Sequence, residues 1–281
     1  MSVPGVQTAP FMLLRPPYDS LDPLQLGELA STSVRGTALI WDLVDGIDAV
    51  ALKAAASRPR GMALMVMLPP PENVSSDVPV FEIVESCRPH SILPHHPRHC
   101  VDEWSTLLRR LPPDLPSEIV DHLVWTGTRI DLSTRHILRR ILELSTELRT
   151  VSGLARSLYM SRRALGRRLL QRELPVPSHW LHFGRVLRVA LKLQASEDNL
   201  FSVASSMGYP DGFALSNQMH RLTGVRPTEA RAALGWEWLV EAWMARERAG
   251  LTLDDSPAAK DSGIPERALQ HVDQSHATRP S

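Results

Sequence analysis

Five arginines crowd the segment 161–172: Arg162, Arg163, Arg167, Arg168 and Arg172. A guanidinium donates hydrogen bonds in a planar fork, which matches the oxygens of a phosphate or the O6 and N7 acceptors of a guanine edge. Between the arginines, Leu165, Leu169 and Leu170 fall on one side of a helix, so that one face is apolar and the rest is basic. Ser161 suits the N-cap of that helix, because its hydroxyl accepts an otherwise unpaired backbone N–H. The chemistry on offer is anion recognition. That basic face suits a recognition helix, and the alternative for the helix taken alone is a solvated basic face.

The elements that would hold this helix are legible on both sides. Upstream, Leu154, Ala155 and Leu158 recur at helical spacing, and a turn is expected at Tyr159 and Met160. About fifty residues on, the arrangement repeats. Val203, Ala204 and Met207 define a short helix, which Gly208 should stop. Asp211 is placed to cap a helix over 212–222 with Leu215, Met219 and Leu222 inward, and Gly224 should end it. Pro227 suits the first turn of a further helix, with Thr228 and Glu229 behind it. The outward residues of the 212–222 helix include Phe213, Ser216, Asn217 and Arg221. Between the two motifs, Trp180, Leu181, Val186, Leu187, Ala190, Leu191 and Leu193 form one apolar face, and Arg185, Arg188 and Lys192 are the basic residues. A rigid helix there would fix the distance between the two motifs.

Charge supports a polyanionic partner. The chain has 31 basic and 31 acidic residues and a net charge of zero. From 148 to 231, however, Arg and Lys outnumber Asp and Glu by more than two to one, so the rest of the chain is acidic. Segregation of this kind reads as a nucleic-acid footprint on one domain. No Gly-rich phosphate loop, nucleophile elbow or metalloprotease motif occurs, and no enzyme or cofactor is expected.

The elements LARSLYMS, SRRALGRRL, the connector helix, VASSMGYPD and GVRPTEAR resemble, as a set, the DNA-binding domain of the AraC/XylS family of bacterial transcription regulators. The resemblance covers about 140–231, roughly a third of the chain. It implies two helix-turn-helix motifs whose recognition helices enter successive major-groove segments of double-stranded DNA. By position, Arg163, Gly166 and Arg167 would face bases from the first helix, and Gly212, Phe213, Ser216 and Asn217 from the second. Ser161, Arg162, Arg168, Arg172, Arg188 and Arg221 complete the expected DNA-binding set, with Arg172 and Arg188 on phosphates. Two departures matter: Gly166 and Gly212 offer no side chain, and Met219 stands where the family commonly has Phe. The first helix should therefore supply most direct readout. A thymine-methyl contact from Phe213 and an adenine contact from Asn217 are expected from the second. Further implied partners are a second copy of the chain and RNA polymerase, in a bacterial cytoplasm. The alternative is a protein-interaction module with only non-specific DNA binding.

The first half alternates strand and helix patterns. Strands are expected at 11–15, 37–43, 61–69 and 91–94, and helices at 24–30, 47–57, 80–87 and 101–111, which argues for a parallel α/β sheet. The order resembles a truncated receiver domain of response regulators, with Asp42 at the phosphoacceptor position. No acidic pair ends the first strand, Pro69, Pro70 and Pro71 stand where a hydroxyl is expected, and His95 or His96 replaces the usual Lys. Asp42 is therefore expected to cap a strand end or helix, and the domain to act through packing.

The expected organisation is a receiver-like α/β domain over 1–111, a linker and connecting helix over 112–133, an all-α DNA-binding domain over 134–249, and a disordered tail over 250–281. His90, His95, His96, His99 and Cys100 carry metal-ligand atoms in no closed-site spacing, so a surface loop is expected rather than a metal site. Cys87 and Cys100 suggest no disulfide framework. Trp236, Trp238 and Trp243 read as core or self-association residues. No signal peptide is evident, and no apolar run approaches the ~18 residues of a membrane span.

Overall fold

A computed structural model of the chain describes residues 11–44, 46–70, 72, 80–94 and 101–250. The expectations for His95, His96, His99, Cys100 and the tail after 250 lie outside the described residues.

Five strands form one sheet: β1 (Phe11–Leu14), β2 (Leu21–Pro23), β3 (Ala38–Asp42), β4 (Ala63–Met67) and β5 (Ser91–Leu93). Their order is β2-β1-β3-β4-β5. Strands β3, β4 and β5 are parallel, whereas β1 runs antiparallel to both β2 and β3. The expected wholly parallel sheet is thus corrected to a mixed one. The cause is β2. Its sequence Leu-Asp-Pro shows no apolar alternation, and it returns from β1 through a tight turn closed by Tyr18 N donating to the Arg15 carbonyl at 2.7 Å. Each later connection is a crossover: a 3₁₀ segment (Leu26–Ser31), α1 (Ala49–Ala56) and α2 (Val80–Ser86).

Alternation sorts the strand side chains onto two faces. Phe11, Leu13, Leu39, Trp41, Leu64 and Val66 meet Leu29, α1 and α2 on one side. On the other, Leu14, Ala38, Ile40, Ala63 and Met65 meet Trp104 and Leu108 of α3 (Val101–Arg109). Asp42, at the end of β3, accepts a hydrogen bond from Val44 N at 2.9 Å, so its carboxylate closes the strand-end turn.

The remaining helices are α4 (Leu115–Trp125), α5 (Leu132–Leu144), α6 (Val151–Ser157), α7 (Arg162–Leu170), α8 (Pro177–Ala195), α9 (Leu200–Ser206), α10 (Gly212–Thr223), α11 (Pro227–Ala232) and α12 (Glu237–Arg248). They share a single apolar core. Residues 112–116 do not form a free linker into this unit. Asp114 caps α4, and Pro116 occupies its first turn, where a missing N–H costs nothing. Leu115, Ile119, Val120 and Leu123 then enter the core.

Helix α8 is the hub. Thirteen of its 19 residues are buried, so it is enclosed on nearly all sides rather than spanning solvent. Trp243 of α12 stacks on Phe183 with ring centroids 3.9 Å apart and meets Trp180 edge-on at 4.6 Å. Trp236 and Trp238 are also buried, which makes all three tryptophans core residues. Gln194 Nε2 donates to the carbonyls of Ala230, Ala233 and Gly235 and so closes the turn into α12.

The sheet docks against this helical unit through polar as well as apolar contacts. Tyr18 Oη donates to the Gly36 carbonyl at 2.7 Å and accepts from Leu234 N at 2.6 Å. Arg58 lies over the Trp125 ring at 4.4 Å, and Arg88 pairs with Glu118 at 2.8 Å. The buried side chains of His90 and Glu237 meet at 2.7 Å. Among the described residues no helix is long and apolar enough to cross a membrane.

Candidate nucleic-acid interface

Helices α6 and α7 form one pair, and α9 and α10 form a second with matching local chemistry. Thr150 Oγ1 caps α6 by accepting from Gly153 N, and Asn199 Oδ1 caps α9 by accepting from Ser202 N. Met160 N closes the first turn onto the Ala155 carbonyl at 2.9 Å, and Tyr209 N closes the second onto that of Ala204, also at 2.9 Å. The left-handed residue is Tyr159 (φ 53°) in one turn and Gly208 (φ 72°) in the other. Ser161 Oγ then accepts from Ala164 N at 3.1 Å, and Asp211 Oδ1 accepts from Ala214 N at 2.7 Å. Leu154 and Leu165 of the first pair and Val203 and Leu215 of the second are buried in the common core. Arg149 Nη1 donates to the Gly208 carbonyl at 2.7 Å and so ties the first pair's entrance to the second pair's turn.

The arginines of the first pair fall into two sets. Arg162, Arg163 and Arg167 are exposed, and none has a hydrogen bond or ion pair from its side chain among the described residues. Gly166 lies between them with open space where a Cβ would stand. Arg168 and Arg172 instead turn to Asp131, the N-cap of α5, at 3.4 and 2.5 Å, and Arg168 also donates to Thr134 Oγ1. The Thr134 backbone N–H, with Arg172 adding to it, holds the Asp131 carboxyl down at about 2. These two arginines therefore fasten α7 to α5.

Arg188 departs further from its expected place on phosphate. It is half-buried and donates to Ser145 Oγ at 2.9 Å and to the Gly184 carbonyl at 3.1 Å. Burial lowers its pKa, and its role is to join α8 to the end of α5.

On the second pair, Phe213 is 85% exposed and Asn217 is exposed, while Ser216 and Arg221 are half-buried. Gly212 faces Leu200, whose Cγ would lie 3.4 Å from an added Cβ, so this glycine permits close packing of α9 and α10. His182 Nδ1 is 2.7 Å from Gln218 Nε2 and links α8 to α10. Desolvation, with Arg185, Arg221 and His179 adding to it, pushes the imidazole down to about 4. It is therefore neutral at pH 7 and accepts from the Gln218 amide.

One exposed group escaped the sequence reading. Tyr159 is 99% exposed in the α6–α7 turn, an unusual fate for an aromatic side chain on a left-handed residue. Aligning the two turns would have found it, because it holds the place of Gly208. Chemically, the surface offers three unpaired guanidiniums, an aromatic hydroxyl and an exposed phenyl ring. Comparison of the chain with protein-family models, curated proteins and solved structures finds no match.

Proposed function

We propose that the chain is a sequence-specific double-stranded-DNA-binding transcription regulator of the AraC/XylS type, in which α7 and α10 act as recognition helices of two helix-turn-helix motifs. The observation that carries this reading is the repetition of one capped helix–turn–helix geometry about a buried central helix, with the exposed side of α7 left basic and unpaired. Helix α8 has 19 residues. At ~1.5 Å per residue it spans roughly 28 Å, close to the ~34 Å that separates successive major-groove segments on one face of a duplex. Arg163 and Arg167 read base edges, Arg162 and Tyr159 meet the backbone, and Phe213 and Asn217 supply contacts from α10. Arg168 and Arg172 seat α7 on α5, and Arg188 joins α8 to α5, rather than touch phosphate. The sheet acts as a signal-sensing or dimerisation unit.

The test is selection of bound fragments from a genomic library with the full chain, followed by affinity measurements over a range of salt. A preferred site should survive at physiological salt, whereas purely non-specific binding falls steeply. Arg167→Ala should cost ~1–3 kcal/mol at the selected site and relax specificity at one or two base pairs. Equal losses on selected and random DNA would refute base reading by α7.

A further inference from the structure

Where the sheet meets the helices, an open cleft of about 680 Å³ is lined by four arginines and one acid. Arg60 comes from the loop before β4, Arg129 from the α4–α5 loop, Arg172 from beyond α7, and Arg248 from the end of α12. Glu173 is the acid, and Met244 gives an apolar patch of wall. Arg172 is held by Asp131. Arg60, Arg129 and Arg248 are exposed and have no hydrogen-bonding or ionic partner among the described residues. Three like charges around one cavity with a single acid beside them repel one another, and a bound anion would relieve that repulsion.

We propose that this cleft binds a small phosphate-bearing molecule of about nucleotide size. The volume falls in the ~300–1,000 Å³ range of small-molecule sites. The guanidinium forks match phosphate oxygens. Three helices, α4, α7 and α12, also end here, at Trp125, Leu170 and Arg248. Most of the last carbonyls already accept one N–H from the turn that follows, as His122 does from Thr126 and Arg167 from Gln171, but they keep a second lone pair and the helix ends carry partial negative charge. Such carbonyls accept from hydroxyl or amino groups and repel a bare anion. The fitting ligand therefore combines phosphate with hydrogen-bond donors, as a nucleotide or a sugar phosphate does.

A DNA backbone fits less well. The cleft lies at the C-terminal end of α7, the opposite end from Ser161, whereas recognition helices meet bases with their N-terminal turns. The cleft is also concave and walled by both halves of the chain. Gln171 and Arg172 line it and also line the adjoining depression with Arg167 and Arg168, so an occupant would bear directly on the residues that seat α7.

Calorimetric titration of the full chain with ADP, inorganic pyrophosphate and adenosine, at constant ionic strength and without DNA, tests this. ADP should bind one per chain, pyrophosphate more weakly at the same site, and adenosine should not bind. Arg129→Ala and Arg248→Ala, both at exposed positions, should each weaken ADP by about tenfold with unchanged circular dichroism, and Arg129→Lys should lose less because it keeps the charge but not the fork. Absence of binding by both phosphate compounds overturns the proposal, as do alanine variants that bind ADP like the wild type. If those variants weaken a random duplex while neither phosphate compound binds, the arginines are DNA-backbone contacts and the proposal is likewise overturned. Because the readout needs no DNA, its failure and that of the DNA-binding reading are separable.

Discussion

Replacing His90 with Ala should destabilise the chain at pH 7 far more than at pH 5. The side chains of His90 and Glu237 are 4% and 6% exposed, and Nδ1 lies 2.7 Å from Oε1. Burial by itself disfavours the charged imidazole, but Glu237 outweighs it and raises the His90 pKa, while the imidazole lowers that of Glu237 against the same burial. The raised His90 pKa contributes stability that is complete below 6.5 and is lost as pH climbs through the folded value. The lowered Glu237 pKa contributes stability present above 4.5 and lost as pH falls through the folded value. In His90→Ala the carboxylate loses its closest charged partner and keeps the Trp236 N–H at 3.1 Å, a backbone hydrogen bond of its own and the weaker influence of His122. Its way out is protonation. From an ordinary value near 4.5 this costs about 3 kcal/mol at pH 7 and less than about 1 kcal/mol at pH 5, at ~1.4 kcal/mol per pH unit. The pH-7 figure agrees with the ~3–5 kcal/mol expected for breaking a buried pair from one side. Urea denaturation followed by the fluorescence of the neighbouring Trp236 and Trp238 measures it. His90→Ala/Glu237→Leu should recover part of the loss at pH 7, since no charge is then stranded. Equal penalties at both pH values, or a double variant that loses the sum of the single losses, would refute the argument.

Local chemistry was legible in the sequence and long-range partnership was not. Ser161, Asp211, Gly208, Gly224 and Pro227 each occupy the cap, stop or first-turn position that their backbone preferences indicate. The apolar face of α8 was equally plain, because burial writes itself into residue type. Arg168, Arg172 and Arg188 look locally like the exposed, unpaired Arg163 and Arg167. What separates them is Asp131 and Ser145, some forty positions away, which no periodicity encodes. Strand β2 was missed because an edge strand of Leu-Asp-Pro needs only its hairpin partner and carries no buried alternation. The proline cluster at 112–116 looked like a linker because Pro is both a breaker and a favoured first-turn residue, and Asp114 decides between the two. The arginine cleft draws on four separate segments, so its assembly exists only in the folded chain.

Two further perturbations probe the seam between the sheet and the helices and the packing of α10. Tyr18→Phe strands the Gly36 carbonyl and the Leu234 N–H together and should cost ~1–3 kcal/mol in urea denaturation. Gly36→Ala should cost at least as much, because Gly36 has φ +66° and its new Cβ would lie 2.8 Å from the Ala233 Cα; a loss below the error of the measurement would mean that the sheet does not seat there. His182 sets an acid limit. Its folded pKa of about 4 lies below the ordinary 6.5, so its contribution is present above 6.5 and drains away as pH falls toward 4. Over that span the linkage amounts to about 3 kcal/mol at ~1.4 kcal/mol per unit. His182→Gln should flatten the stability profile between those limits, since Gln can still meet Gln218 but takes up no proton. Proton NMR of the wild-type imidazole should show a midpoint near 4. A midpoint at or above 6 would mean that the α8–α10 contact leaves His182 open to water, and the rigid spacing of the two helix pairs would lose one of its supports.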